Sequence, residues 1–324
     1  MSKAIRIHKT GGPEVLTWEE VPVADPGPND IRLRHTAIGL NFIDIYHRQG
    51  LYPLPMPIVL GTEGAGVIEA VGANVSDFKV GQRIAYAGGQ MGAYAEARTI
   101  PAIEVVAVPD GIDDKIAAAI MLKGLTAHML LFKIHPVQKG ETVLVHAAAG
   151  GVGAILTQWA KHLGCTVIGT AGGAAKVKFA REHGCDHVID YTTENFTARA
   201  KELTGGKGVS VIYDGIGKDT FMGSLDALEP FGHMVTYGNA SGPVDPISPL
   251  LLTQKGSLTL SRPTLFTYTA DPHRRRSAAK DLFDVVAKGA VKIEIGQSYA
   301  LKDVAEAHSA LASRKTTGST VLIP

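Results

Sequence analysis

The chain has 324 residues, 45% of them hydrophobic and 19% charged, with a formal net charge of +1. Its length exceeds one ordinary core and points to two domains. The composition excludes disorder, and the balanced charge gives no global pull toward nucleic acid or a membrane surface.

The first stretch, "MSKAIRIHKTGG", lacks the apolar core of a signal peptide, and no apolar run reads as a membrane span. A cytoplasmic protein is the expectation. Residues up to about 122 are rich in Gly, Pro and short alternating runs such as "DIRLRHTAIGL" and "QRIAYA". They predict a small β-rich domain. From Ala117 the stretch around "IAAAIMLKGLTAHMLLFKI" carries helical spacing. Strand candidates then fall at 141–146, 165–170, 187–190, 209–214, 233–237 and 257–261. Helix candidates at 152–163, 174–183, 194–203 and 219–229 separate them. That alternation predicts an α/β, doubly wound, six-stranded parallel sheet. After Arg262-Pro263 come a helix near 277–288, a strand, a helix at 303–313 and the closing strand "STVLI". These are expected to return to the first domain, giving domains of 1–122 with 264–324, and of 123–263. The basic run His273 to Arg276 reads as a solvated helix start. Cys165 and Cys185 are too few for a disulfide framework and read as core residues.

The stretch "VLVHAAAGGVG" (143–153) follows the first of these strands. It opens a helix striped by Val152, Ile155, Leu156, Trp159, Ala160 and Leu163. It matches the dinucleotide fingerprint G-x-G-x-x-G at Gly150 and Gly153, with Ala148 in the first position. The second glycine lets backbone approach a pyrophosphate, and the third lets helix and strand pack closely. Ala148 implies a turn that tolerates a Cβ. The N–H groups of Gly151, Val152 and Gly153 would face phosphates at the helix N-terminus. An NAD enzyme places Asp or Glu near the end of the second strand. Here "CTVIGTAGGAAKVKFAR" (165–181) has no acid and offers Lys176 beside the small Gly172 and Gly173. NADPH is therefore the expected cofactor, with Lys176 on its 2′-phosphate and Gly172 leaving room.

Several motifs together resemble one family. They are "HKTGGPEVLTWEEVP", "GLNFIDIYHRQGLYP", "GTEGAGVIEAVG", "LKGLTA", "HAAAGGVG", "VIDYT", "YGNASG", "GSLTLSRP" and the terminal "LIP". They are similar to the zinc-free NADPH:quinone oxidoreductases, the zeta-crystallin-like branch of the medium-chain dehydrogenase/reductase superfamily. The resemblance implies a GroES-like β-rich catalytic domain joined to a Rossmann domain. It also implies a homodimer paired through the last Rossmann strand, about 257–263, whose open edge favours association. Zinc alcohol dehydrogenases of that superfamily carry a Cys where this chain has Asn41 and a His where it has Thr62, so no metal is expected. Asp44 and Glu63, which survive beside those positions, read as hydrogen-bonding groups that shape the cleft.

Without a Lewis acid the acceptor must take a hydride unaided, as a quinone or an activated enone does by spreading the charge. The resemblance places Tyr46 and Tyr52 at the nicotinamide pocket, Tyr46 against both cofactor and substrate. Their rings would stack on a planar quinone, and a phenol would donate to a developing oxyanion. Asn41 is expected to donate its amide to the nicotinamide or the substrate carbonyl. These three are the catalytic candidates. By the same resemblance Lys123 and Thr126 lie near the diphosphate or carboxamide, and Tyr191 near the adenosine phosphate or adenine. Gly238 and Asn239 sit at the carboxyl edge of the sheet, and Arg314 reaches the cofactor from the C-terminal segment. A C=C-reducing enone or 2-alkenal reductase is the alternative among enzymes. A structural or RNA-binding, crystallin-like NADPH protein is the alternative outside them. Near-neutral charge and no aromatic-interleaved basic stripe argue against nucleic acid. His146 reads as a filled core site.

Overall fold

The computed structural model describes residues 1–324. They form two compact units: Met1–Leu125 with Tyr268–Ala287 and Ile293–Pro324, and Thr126–Thr267 with Lys288–Lys292.

The first unit opens with β1 (Ser2–Ile7), β2 (Thr17–Val21), β3 (Asp30–Leu40), α1 (Phe42–Gln49) and β4 (Ile58–Val59). It continues through β5 (Glu63–Val71), β6 (Arg83–Ala87), β7 (Ala97–Pro101) and β8 (Val106–Ala107) to the long helix α2 (Asp114–Met129). Strands β2, β1 and β4 form a small sheet, while β3 pairs antiparallel with both β5 and β7 in a larger one. Along β3, Ile31, Leu33, His35 and Ala37 alternate inward, as the two-residue period of a strand requires. Ile31 and Leu33 join Ile68, Ile84, Tyr94 and Ile100 in the core.

Helix α1 does not show in the sequence pattern, for a physical reason. It is only eight residues long and lies in a stretch rich in strand signals, and Asp44, His47 and Arg48 on its polar side are buried with Ile45 and Tyr46 rather than turned to solvent. Local chemistry marks its ends instead. Asp44 accepts the Asn41 backbone N–H (2.9 Å) at the start, and Gly50 takes the left-handed conformation (φ 83°) at the end.

With a π-turn through Ile134, α2 becomes a 21-residue helix long and apolar enough to cross a membrane by length and composition. This corrects the sequence reading, which found no apolar run long enough to span a bilayer. Within the protein 78% of its apolar window is buried, as in the core helix of a soluble protein.

The second unit is the alternation read from the sequence: β9 (Thr142–Val145), α3 (Gly151–His162), β10 (Thr166–Ala171), α4 (Ala174–Glu182), β11 (His187–Asp190), α5 (Phe196–Leu203) and β12 (Val209–Asp214). It continues with α6 (Phe221–Ala227), β13 (Leu228–Thr236), α7 (Leu250–Gln254) and β14 (Thr259–Ser261). The six strands lie in the order β11-β10-β9-β12-β13-β14, every pair parallel. β14 forms one edge. His146 fills the core, bonded to Thr170 Oγ1 and Ser224 Oγ at 2.9 Å each. Both cysteines are buried, and burial pushes Cys165 up to about 11 and Cys185 to about 12.

The chain continues through α8 (Leu265–Thr269), α9 (Pro272–Ala287), β15 (Ile295–Ala300), α10 (Val304–Ala312) and β16 (Ser319–Ile323). β16 pairs antiparallel with Ile38–Leu40 of β3, and β15 extends the sheet beyond it. The basic run sits in the first turns of α9, earlier than the sequence suggested. Arg276 reaches Asp77 (3.2 Å), but Arg275 is buried and donates to the Ile103 carbonyl, so the solvated reading fails for that residue.

Candidate active site

In the first unit the sheet, α1 and α2 bring a polar cluster together. Glu63, fully buried, accepts the Asn41 Nδ2–H (2.8 Å), the Lys123 ammonium (2.6 Å) and the Leu122 backbone N–H (2.6 Å). Two sequence candidates, Asn41 and Lys123, are thus joined through a residue read only as a shaping group. The carboxylate fixes which end of the Asn41 amide faces it, because only the NH2 end can donate. Gly39 makes space for Glu63: a Cβ there would lie 2.1 Å from its Oε1.

Asp44, also fully buried, accepts three bonds: from Asn41 N–H, from Tyr94 Oη (3.0 Å) and from Thr62 Oγ1 (3.1 Å). Burial nonetheless outweighs them and raises its carboxyl from 3.8 to about 7, with Glu63 adding to the rise. Behind it, Tyr94 Oη lies 3.0 Å from His308 Nε2, and His308 Nδ1 lies 3.1 Å from Arg48 Nη1. Arg48 can only donate, so Nδ1 accepts and Nε2 carries the proton that His308 gives to Tyr94. Burial, aided by Arg48, holds His308 neutral with a pKa near 3. The line runs one way: Arg48 to His308 to Tyr94 to Asp44.

Tyr46 and Tyr52 meet edge to face at 5.8 Å, and Tyr52 meets His47 at 5.9 Å. Tyr46 is buried on α1; Tyr52 lies just beyond it. Arg314 is exposed past α10 with φ 57°.

The second unit carries the glycine cradle. Gly150 is extended at the N-cap of α3, and the first bond of the turn runs from Ala154 N–H to Gly150 C=O (2.8 Å). The N–H groups of Gly151, Val152 and Gly153 precede that ladder and point out of the helix end. A Cβ on Gly153 would lie 2.2 Å from the Ala147 carbonyl oxygen, so this glycine is required by close packing. The left-handed residue of the turn is Ala147 (φ 52°) and not Ala148, which is buried and donates its N–H to Thr170 (3.0 Å).

Beyond β10, Gly172 lies under the ring of Tyr191, whose Oη would be 2.5 Å from a Cβ there. Lys176 stands in the first turn of α4. Asp190, the acid that ends β11, is held by Gly173 N–H and by the N–H and Oγ1 of Thr192, which keep its pKa low. At the end of β13, Gly238 and Asn239 run against Gly215 and Gly217, and a Gly238 Cβ would lie 2.4 Å from the Gly215 oxygen. Thr236 Oγ1, buried in the last residue of β13, has no hydrogen-bond partner in the protein. Thr126, on α2, is buried. Tight glycine contacts, first-turn N–H groups and an orphaned hydroxyl suit a dinucleotide. No group of three or more His, Cys, Asp or Glu side chains is placed to hold a metal ion.

Sequence reasoning missed Arg48, Tyr94 and His308. They lie far apart in the chain; Arg48 falls inside "GLNFIDIYHRQGLYP" with nothing there to mark its role, and Tyr94 and His308 lie outside every quoted motif.

A parallel nucleotide-binding sheet and a β-rich unit define a two-domain dinucleotide-dependent oxidoreductase. Residues 151–270 match the family model described as zinc-binding dehydrogenase, and residues 27–110 match the alcohol dehydrogenase GroES-like domain. A quinone oxidoreductase of Pseudomonas aeruginosa is 51% identical, with 100% of each chain covered. A 2-haloacrylate reductase of a Burkholderia species is 46% identical over 100% of this chain and 99% of its own. The crystal structure of Escherichia coli quinone oxidoreductase complexed with NADPH superposes with a TM-score of 0.97 at 46% identity, covering 99% and 100% of the two chains. The chain belongs to the quinone oxidoreductase family of the medium-chain dehydrogenase/reductase superfamily.

Proposed function

We propose that this protein reduces quinones with NADPH by hydride transfer without a metal. One observation carries the reading: Asn41 and Thr62, at the positions of the zinc ligands in related alcohol dehydrogenases, are tied by hydrogen bonds to Glu63 and Asp44. Full-length similarity to quinone oxidoreductases, one of them complexed with NADPH, supports it.

In this reading Gly150, Gly151, Val152 and Gly153 receive the diphosphate, and Lys176 with Gly172 and Tyr191 receives the phosphorylated ribose and adenine. Gly238, Asn239, Thr126, Lys123 and Arg314 complete the cofactor contacts. NADPH, when bound, supplies the hydride from its nicotinamide. Tyr46 and Tyr52 hold the acceptor ring face-on. Asn41, one N–H committed to Glu63, offers the other to a carbonyl oxygen. Glu63 keeps that amide from turning. The protein's contribution is orientation in a water-poor site. β14, the open edge of the parallel sheet, is the surface we assign to pairing with a second copy, in a cytoplasmic homodimer.

A second reading, reduction of an activated C=C bond, is favoured by the similarity to the 2-haloacrylate reductase. An acceptor panel of a benzoquinone, a naphthoquinone and an enone, each with NADPH and NADH, separates the two. In the same assay Lys176→Ala should raise the Kd for NADPH by about 10- to 100-fold, the value of one charge-assisted phosphate contact, and leave NADH within twofold. Equal losses for both cofactors would remove Lys176 from the phosphate site.

A further inference from the structure

Hydride transfer to a quinone leaves one oxygen as an anion, and completing a hydroquinone takes one proton. We propose that Asp44 is the reservoir of that proton and that the Thr62 hydroxyl passes it to the reduced acceptor. The proposal rests on the quinone-reductase reading.

The geometry carries it. Asp44 Oδ2 is filled by two donors, the Asn41 N–H and the Tyr94 hydroxyl. Both are fixed in direction, the second because His308 donates to Tyr94 from behind. Oδ1 has one neighbour, the Thr62 hydroxyl. A proton on Asp44 therefore sits on Oδ1 and faces Thr62 Oγ1. That reverses the bond, and the Thr62 hydroxyl hydrogen turns away to another acceptor. Access points the same way. Asp44 has no exposed surface, so a proton leaving it must pass through a neighbour, and the neighbour at Oδ1 is Thr62.

The step balances. The incoming hydride brings the electron pair that reduces the quinone, and the nicotinamide is oxidised. The Thr62 Oγ–H bond breaks as a new O–H bond forms on the hydroquinone oxygen. The Asp44 Oδ1–H bond breaks as Thr62 regains its hydrogen. Asp44 is left as a carboxylate, stabilised by the donors of Thr62, Tyr94 and Asn41, and takes a proton from solvent before the next turnover.

The charged and titratable groups around Asp44 permit this cycle. Glu63 at the head of β5 opposes its ionisation, while Lys123 from α2 is engaged by Glu63. Tyr94 and the neutral His308 of α10 supply hydrogen bonds without net charge, and Arg48 of α1 lies behind His308. Burial puts the Asp44 carboxyl at about 7, where it can both hold and release a proton near neutrality.

The test compares two acceptors with the intact protein and NADPH. A quinone needs hydride plus proton; a phenothiazinium dye such as methylene blue is itself a cation and needs the hydride alone. Thr62→Val should lower the ratio of quinone to dye turnover by about 10- to 100-fold, within the usual worth of a positioned acid. Thr62→Ser should restore it. Asp44→Asn, whose amide oxygen can keep the bonds from Asn41 and Tyr94 and whose NH2 can donate to Thr62 but yields no proton, should lower the ratio likewise and abolish the fall in quinone kcat above about pH 7. An infrared carbonyl band of a protonated carboxyl, titrating near neutrality in the free protein and absent from Asp44→Asn, gives a readout independent of turnover. An unchanged ratio in both Thr62→Val and Asp44→Asn, or no such band, overturns the relay. A wild-type protein that turns over no quinone at all overturns the quinone-reductase reading instead.

Discussion

Acid should loosen the first unit along a slope set by three buried groups. His35 and His308 are each neutral in the fold, burial lowering them from 6.5 to about 3 with help from Arg98 and Arg48 respectively. Below pH 6.5 the unfolded chain takes up a proton at each that the fold refuses, so their contribution is full above 6.5 and lost as pH falls toward 3. Asp44 works the other way. Its carboxyl is at about 7 in the fold and 3.8 when exposed, so the cost of burying it is present above pH 7 and relieved as pH falls toward 3.8. Between about pH 6 and 4 these three groups together give two protons minus one, or about 1.4 kcal/mol lost per pH unit. Asp44→Asn removes the offset and should steepen the slope by about 1.4 kcal/mol per unit. His47, also lowered by burial, adds equally to both proteins. Urea titrations at several pH values in that window give the slope. The signal should come from Trp18 in β2, with Trp159 of α3 replaced by Phe so that only the first unit reports. Equal slopes for the two proteins would refute the assignment of Asp44 as a carboxyl that holds its proton in the fold.

Two glycine substitutions should separate stability from cofactor binding. Gly153→Ala sets a Cβ 2.2 Å from a backbone oxygen that has no free rotor, so it should cost about 1–3 kcal/mol in thermal stability and weaken NADPH as well. Gly172→Ala meets only the ring of Tyr191, which is 50% exposed and can swing out. Its melting temperature should hold while NADPH affinity falls about tenfold, the 1.4 kcal/mol of one lost contact. Calorimetry and NADPH fluorescence titration read both, and a large stability loss in Gly172→Ala would show that Tyr191 is fixed.

The second unit was legible because its information is local. Each strand, turn and striped helix is contiguous, and the glycine that touches Ala147 is six residues away from it. Even there the turn resolved differently, with the left-handed residue at Ala147 and the Cβ of Ala148 packed inward. The first unit was less legible. It is assembled from three stretches of chain, α1 is only eight residues long, and Tyr94 and His308, which link Arg48 to Asp44, are tied to them by no spacing rule. Asn41, Glu63 and Asp44 could be placed near one another from their motifs. The residues behind them could not.

The pairing of β16 with Ile38–Leu40 has a consequence for biosynthesis. Every strand of the parallel sheet has left the ribosome once Ser261 emerges, and that unit can begin to fold while synthesis continues. The first unit cannot finish then. The end of β3 that leads into Asn41 keeps an unpaired edge, and Tyr94 lacks His308, until the last residues of the chain appear. The polar cluster is thus among the last features to form, and a ribosome stalled before residue 319 leaves a nascent chain with an intact nucleotide fold beside an open, aggregation-prone strand.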